Sequence, residues 1–121
     1  MAAIFHRVRV GASQAEVFRA VVHGDVLRAW RTHDSSITMR VIELLDPSHV
    51  EWCCIDGPQE WIGTHVTFDV ARDGSDTVLQ LAHVQWREAS NLLAEATTKW
   101  GRILLGLKRE LEVPEPDDLY I

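Results

Sequence analysis

The chain has few cysteines, and none of them is placed for a disulfide or a metal site. Its two cysteines, Cys53 and Cys54, are adjacent. Neighbouring residues of a strand point to opposite faces of a sheet, so these side chains diverge and a disulfide between them is not expected. No two histidines stand at the spacing of a helical metal pair. We therefore expect no structural disulfide, no metal and no other cofactor.

Positive charge and long apolar segments are also scarce. The chain has 12 Lys and Arg against 18 Asp and Glu, for a formal net charge of −6. Its basic cluster, Arg102 with Lys108 and Arg109, lies in the second half of a predicted helix, where it complements the helix dipole. Nucleic acid would need basic side chains clustered against phosphate, and a membrane span would need a longer apolar run. We expect no nucleic-acid or membrane partner, and a cytoplasmic protein without a signal peptide.

Alternation of apolar and polar residues predicts five strands in the 121 residues. They cover residues 3–10, 37–45, 50–55, 62–70 and 77–85. Short turns separate the last four strands, as antiparallel hairpins require. Ser13 and Glu16 form a capping box that begins a short helix after the first strand. Asp25 is placed to cap a second short helix that runs to Trp30.

A long amphipathic helix is predicted from about Asn91 to Val113. Apolar residues recur there at spacings of three and four, at Leu93, Ala96, Trp100, Ile103, Leu104, Leu107 and Leu111. A stripe this long must pack on an extended surface, and the predicted sheet supplies one. The element order β-α-α-β-β-β-β-α therefore predicts an α+β fold, with the long helix across the concave face of an antiparallel sheet. We expect one domain over residues 1–121, ending in an acidic tail over 113–121.

Several motifs carry a family resemblance along nearly the whole chain. They are Ala12-Ser13, Val17-Phe18, Leu27-Arg-Ala-Trp30, Met39-Arg-Val-Ile-Glu43, Val50-Glu-Trp52, Trp61-Ile-Gly-Thr64, the run from Thr77 to Trp86, Lys99-Trp100 and Leu105-Gly-Leu-Lys108. In these the chain resembles the START-like or SRPBCC superfamily, whose fold is the Bet v 1-like helix grip. Within that superfamily it is most similar to the activator-of-heat-shock-ATPase-like branch.

The chain departs from this family between its second short helix and its second strand. Family members usually carry a β-hairpin there, whereas here only residues 31–36 separate Trp30 from the strand that begins at Ile37. The resemblance therefore implies five strands instead of seven and an opened cavity wall. It also implies that the apolar strand from Ile37 to Leu45 becomes a sheet edge. Since native proteins cover or pair such edges, we expect a homodimer that buries this one.

The apolar concave face, together with the resemblance, predicts a pocket for an apolar or amphipathic small molecule between helix and sheet. The residues expected to line it are Trp30, Met39, Trp52, Phe68, Leu79, Leu81, His83, Trp100 and Leu104. Core packing explains the tryptophans equally well. Trp61 and Trp86 lie close to turns and are expected to be partly exposed.

His83 is the titratable side chain that strand alternation places beside Leu79 and Leu81. A histidine there could act as general acid or base, which keeps a cyclase-, dehydratase- or hydrolase-like enzyme as an alternative function. No serine, aspartate or second histidine at a recognisable spacing completes a triad, so a structural histidine is the preferred interpretation. The name of the family adds a third alternative, a chaperone-linked interaction module.

Overall fold

The structure is a computed structural model that describes residues 2–23, Val26 and residues 37–112. Within these residues, five strands form one antiparallel sheet in the order β1-β5-β4-β3-β2. The strands are β1 (Ala2–Val10), β2 (Thr38–Leu45), β3 (His49–Asp56), β4 (His65–Asp73) and β5 (Asp76–Trp86). Helix α1 (Gln14–Val22) follows β1, and helix α2 (Asn91–Leu111) follows β5. The predicted α+β helix-grip arrangement is confirmed.

Some predicted boundaries differ from the observed ones. Strand β4 begins at His65 and not at Ile62, because the backbone N–H of Thr64 bonds to the carbonyl of Trp61 at 2.9 Å and closes a turn. Helix α2 ends at Leu111. The predicted second short helix, apart from a buried Val26, lies outside the described residues. So do residues 31–36 and the predicted acidic tail over 113–121.

Serine side chains begin both helices. Ser13 Oγ accepts from the backbone N–H of Glu16 at 3.1 Å, and Ser90 Oγ accepts from that of Leu93 at 3.2 Å. Each bond satisfies a backbone donor that the first turn of a helix leaves without an intrahelical partner. At the other end of α2, Lys108 Nζ donates to the carbonyl of Arg9 in β1 at 2.8 Å. The helix is therefore anchored to the sheet near its C-terminus.

The core lies between α2, α1 and one face of the sheet. Alternate residues of β3, β4 and β5 are buried, which is the pattern of a sheet with one covered face. Helix α2 contributes its apolar stripe of Ala96, Trp100, Leu104 and Leu107. Helix α1 contributes Val17, Phe18 and Val21. No helix in the described ranges is long and apolar enough to cross a membrane.

Strand β2 forms one edge of the sheet and is far more exposed than β3 to β5. The fractional exposure is 57% for Val41, 49% for Ile42, 53% for Leu44 and 52% for Leu45. These four residues make half of the large apolar side chains that are exposed in the described part of the chain. The prediction of an apolar edge strand is therefore confirmed, with Thr38 as its first residue.

Two adjacent leucines of α2 test this packing. Leu104 and Leu105 are the same residue type in the same helix, but Leu104 is 2% exposed and Leu105 is 52% exposed. We expect Leu104→Ala to lower the free energy of unfolding by about 2–5 kcal/mol through lost burial and a cavity. Leu105→Ala should change it by no more than about 0.5 kcal/mol. Urea unfolding followed by circular dichroism measures both, and equal losses would contradict the placement of the helix.

Candidate functional site between the long helix and the sheet

An aromatic cluster fills the space where the pocket is predicted. Trp52 and Phe68 meet edge to face with ring centroids 5.2 Å apart, and Phe68 meets Trp100 in the same way at 5.9 Å. Leu79, Leu81, His83 and Leu104 are buried with them. Met39 is half-buried and packs against this core from β2. Trp30 lies outside the described residues.

Two further tryptophans belong to this cluster, and the expectation that they are partly exposed is wrong. Trp61 is 2% exposed and Trp86 is 1% exposed. Gln85 has a left-handed backbone, with φ of 71°, which interrupts the alternation of β5 and turns Trp86 to the same face as His83. The indole N–H of Trp86 has no hydrogen-bond partner in the described part of the chain.

His83 lies at the centre of this cluster, and both of its ring nitrogens are engaged. Trp100 Nε1 is 3.1 Å from His83 Nδ1, and Thr64 Oγ1 is 2.8 Å from His83 Nε2. The ring centroid of His83 is 4.7 Å from that of Trp61 and 4.8 Å from that of Trp86. One side chain of β5 is thereby linked to α2 and to the turn before β4.

The partners determine where the proton of His83 lies. An indole N–H can only donate, so Nδ1 of His83 accepts and the proton of the neutral ring lies on Nε2. Nε2–H then donates to Thr64 Oγ1, and the Thr64 hydroxyl donates to the carbonyl of Trp61 at 2.6 Å. We call this series, Trp100 to His83 to Thr64 to Trp61, the His83 relay. Each hydrogen in it has one acceptor.

Burial keeps His83 neutral. Desolvation disfavours the imidazolium ion and lowers the pKa of His83 to about 3. A second proton on Nδ1 would also face the indole N–H of Trp100, which would be a contact between two donors. A general acid or base needs a nitrogen that can reach the proton it transfers. Both nitrogens here contact internal side chains, so the geometry favours a structural histidine.

The other chemically reactive groups in the described residues form no metal site and no activated thiol. No group of His, Cys, Asp and Glu within the described ranges could hold a metal ion. Both cysteines are free thiols, and burial raises the pKa of Cys54, which disfavours the reactive thiolate. A surface groove of about 460 Å³ lies outside the cluster and is lined by Gln59, Glu60, Ile62, Gly63, Gln85, Arg87 and Glu88. None of the predicted site residues lines it.

Comparison with protein-family models gives no match, and comparison with curated protein sequences gives none either. Solved structures do match. The chain is 27% identical to the Aha1 dimer from Colwellia psychrerythraea, with a TM-score of 0.82 over 93% of this chain and 98% of that one. It is 16% identical to CalU16 from Micromonospora echinospora, with a TM-score of 0.74 over 94% and 68%. It is 12% identical to MLL2253 from Mesorhizobium loti, with a TM-score of 0.72 over 89% of this chain and 95% of that one. The chain has the helix-grip fold of the SRPBCC type.

The protonation state of His83 can be observed directly. We expect long-range ¹H–¹⁵N spectra to show the Nε2–H tautomer, unchanged from neutral pH down to about pH 5, because the native pKa is about 3. In the urea-unfolded chain the same ring should titrate near its ordinary pKa of about 6.5. The stability that neutral His83 permits is then fully present above about pH 6.5. It is lost as the pH falls toward 3, by up to about 1.4 kcal/mol per pH unit. An imidazolium signal in the folded protein at pH 5 would overturn this assignment.

The hydroxyl of Thr64 supplies the acceptor of the relay. Thr64→Val keeps the shape of the side chain but leaves the Nε2–H of His83 without a partner, so we expect a loss of about 1–3 kcal/mol in unfolding free energy. Thr64→Ser is the matched control, because it keeps the hydroxyl and removes one methyl group. Chemical denaturation should rank Val below Ser, and the reverse order would show that the hydroxyl contributes nothing.

Proposed function

We propose that the protein binds an apolar or amphipathic small molecule on the concave face of the sheet beside the aromatic cluster, on the side where β2 and β3 lie. The concave face of the sheet supports this proposal. Met39, Val41 and Leu44 pair with Cys54, Trp52 and Val50 of β3, all of which are buried. Cross-strand partners point to the same face, so the β2 residues continue the face that carries the core.

The residues of this face are buried in β3 but largely exposed in β2. Trp52 is buried and Met39 half-buried, whereas Val41 and Leu44 are more than half exposed. A contiguous exposed apolar surface of this kind marks a ligand-binding groove or another interaction site. This gradient of exposure from β3 to β2 is the single observation that carries the proposal. The missing hairpin that the family resemblance implies accounts for it.

The ligand would contact the outer side of the aromatic cluster. Met39 is half-buried at the border of the core, and the buried Trp52 meets Phe68 edge to face. His83, Trp100, Leu79, Leu81 and Leu104 are buried in the core and would support the site from within. The surface left to a ligand is that of Met39, Val41 and Leu44, which is apolar. An apolar molecule, or the apolar part of an amphipathic one, fits such a surface best.

Dye binding tests the proposed site. We expect 1-anilinonaphthalene-8-sulfonate to bind saturably and to quench tryptophan fluorescence, and palmitate to displace it. Met39→Gln should weaken the binding by about tenfold, equivalent to about 1.4 kcal/mol, through loss of apolar contact. Leu105→Gln is the control, since Leu105 is an exposed leucine that does not belong to the buried stripe of α2. Equal effects of both variants, or no saturable binding, would refute the site.

The resemblance to the activator-of-heat-shock-ATPase-like branch belongs to this proposal too. The similarity to the Aha1 dimer over nearly the full length of both chains supports it. A chaperone-linked module in the cytoplasm is the alternative that this similarity favours, and recovery of a chaperone in a pull-down from native cells would support it. An enzyme that uses His83 as acid or base has no comparable support, because both ring nitrogens are held by internal partners.

We also propose a homodimer that buries the edge formed by β2, the predicted strand from Ile37 to Leu45. The exposed apolar side chains of β2 support it, since edges of this kind are hazards that native proteins cover or pair. The solved structure from Colwellia psychrerythraea is described as a dimer, and this chain covers 98% of it. A mass measured by light scattering at micromolar concentration tests the proposal.

A further inference from the structure

Strand β2 carries a bulge at Ile42. Val41 pairs with Trp52 and Glu43 pairs with Glu51, so two neighbours in β3 face three successive residues in β2. A bulge of this kind leaves one residue unpaired and shifts the alternation of the strand by one position. Without it, residues three apart would point to opposite faces.

The bulge places Arg40 and Glu43 on the same face of the sheet. Arg40 pairs with Cys53 and Glu43 with Glu51, and these two residues of β3 lie two positions apart. Glu43 Oε1 is 3.3 Å from His49 Nε2, a contact on the outer face of the sheet. Arg40 and Glu43 therefore both lie on the outer face. If the bulged residue Ile42 is not counted, Arg40 is one position before Val41 and Glu43 is one position after it.

Their charges are not balanced within one copy. Glu43 lies directly opposite Glu51 in the neighbouring strand, and like charges in that position repel. Arg40 is exposed and has no ion-pair partner within the described residues. One end of β2 thus carries a positive charge without an ion-pair partner. At the other end two carboxylates face each other, with contacts to His49 from Glu43 at 3.3 Å and to His65 from Glu51 at 2.7 Å.

In a dimer with a two-fold axis, the two copies of β2 run antiparallel. A residue that lies a given number of positions before the axis pairs with the partner's residue that lies the same number after it. An axis at Arg40 would set arginine against arginine, and an axis at Glu43 would set glutamate against glutamate. An axis at Val41 sets each Arg40 against the partner's Glu43. It also pairs Met39 with the partner's Leu44 and Thr38 with the partner's Leu45.

We propose that two copies of the chain join their β2 strands antiparallel about an axis at Val41, with two reciprocal Arg40–Glu43 pairs on the outer face. This inference rests on the proposed homodimer through the β2 edge and specifies its register. Opposite charges in cross-strand positions stabilise a pair of strands, and like charges oppose it. The positive charge of the partner's Arg40 also offsets the repulsion between Glu43 and Glu51.

The other edge of the sheet does not offer such a pairing. Strand β1 exposes Phe5, Arg7 and Arg9 on its outer face. Two copies of β1 joined about an axis at Arg7, Val8 or Arg9 would set arginine against arginine, and β1 carries no acidic side chain that could pair with them in any other register. Arg9 is moreover already paired with Asp73 at 2.6 Å. The charges therefore favour β2 as the edge that pairs with a second copy.

The proposed register also affects the ligand site. On the concave face, Met39 of one protomer lies opposite the partner's Leu44, and Val41 lies opposite its own counterpart. The apolar row of one sheet thus continues into the next. Each proposed ligand site then receives an apolar wall from the partner subunit, where the missing hairpin would otherwise have stood.

Charge exchange tests the register. We expect Arg40→Glu and Glu43→Arg, each alone, to raise the dissociation constant of the dimer by about tenfold or more, since each turns two attractions into two repulsions. The two variants mixed should form a heterodimer, because one chain then carries acidic side chains at positions 40 and 43 and the other carries basic ones at both. Native mass spectrometry with one variant isotope-labelled distinguishes the species. Single variants that stay dimeric, with statistical mixing, would overturn the register.

Disulfide capture provides a second measurement that does not depend on charge. In the proposed register the two copies of residue 41 face each other within the reach of a disulfide. Val41→Cys should cross-link on oxidation, whereas Leu44→Cys should not, because its two copies lie about 13 Å apart along the strands. The wild-type chain with Cys53 and Cys54 is the blank. A dimer that cross-links through 44 and not 41 refutes the register alone, and a monomeric wild-type chain refutes the homodimer as well.

Discussion

The hydrogen bond between Trp100 and His83 is the interaction on which the placement of the long helix depends. An apolar stripe decides which face of α2 meets the sheet, but apolar contact has no direction and tolerates sliding. A buried indole N–H and a buried imidazole each cost free energy unless they are paired. The helix must therefore dock at the height and rotation that bring Trp100 Nε1 within 3.1 Å of His83 Nδ1. Thr64 and Trp61 extend the same constraint to the turn before β4.

Much of this architecture follows from periodicity. Alternation was sufficient to place five strands, and the spacing of Trp100, Leu104 and Leu107 was sufficient to orient α2. The capping serine at position 13 marks its helix correctly, since a short hydroxyl side chain suits a backbone that is not yet helical. The exposed edge at β2 followed from the family resemblance, which implied that no hairpin pairs with that strand. The strands, the helices and their buried faces depend on local pattern, which a single sequence contains.

The features that could not be predicted are departures from alternation. Gln85 adopts a positive φ without being a glycine, so nothing in the residue type indicated that Trp86 would turn inward. The bulge at Ile42 could not be predicted from the residue type either, because it becomes visible only in the pairing of β2 with β3. The relay itself joins residues 17 and 19 positions apart in sequence. A histidine among leucines signals a buried polar atom, but its partners emerge only when the strands and the helix are assembled.

The exposed side of β2 can serve a ligand and a second copy at once, because the two uses engage different groups. Strands pair through backbone N–H and C=O groups that lie in the plane of the sheet. A ligand on the concave face contacts side chains that stand perpendicular to that plane, such as Met39 and Val41. Pairing β2 strands would leave those side chains facing the same concave space. In the proposed dimer the partner would then supply both of the things that the edge lacks, the backbone hydrogen-bond partners and an apolar wall.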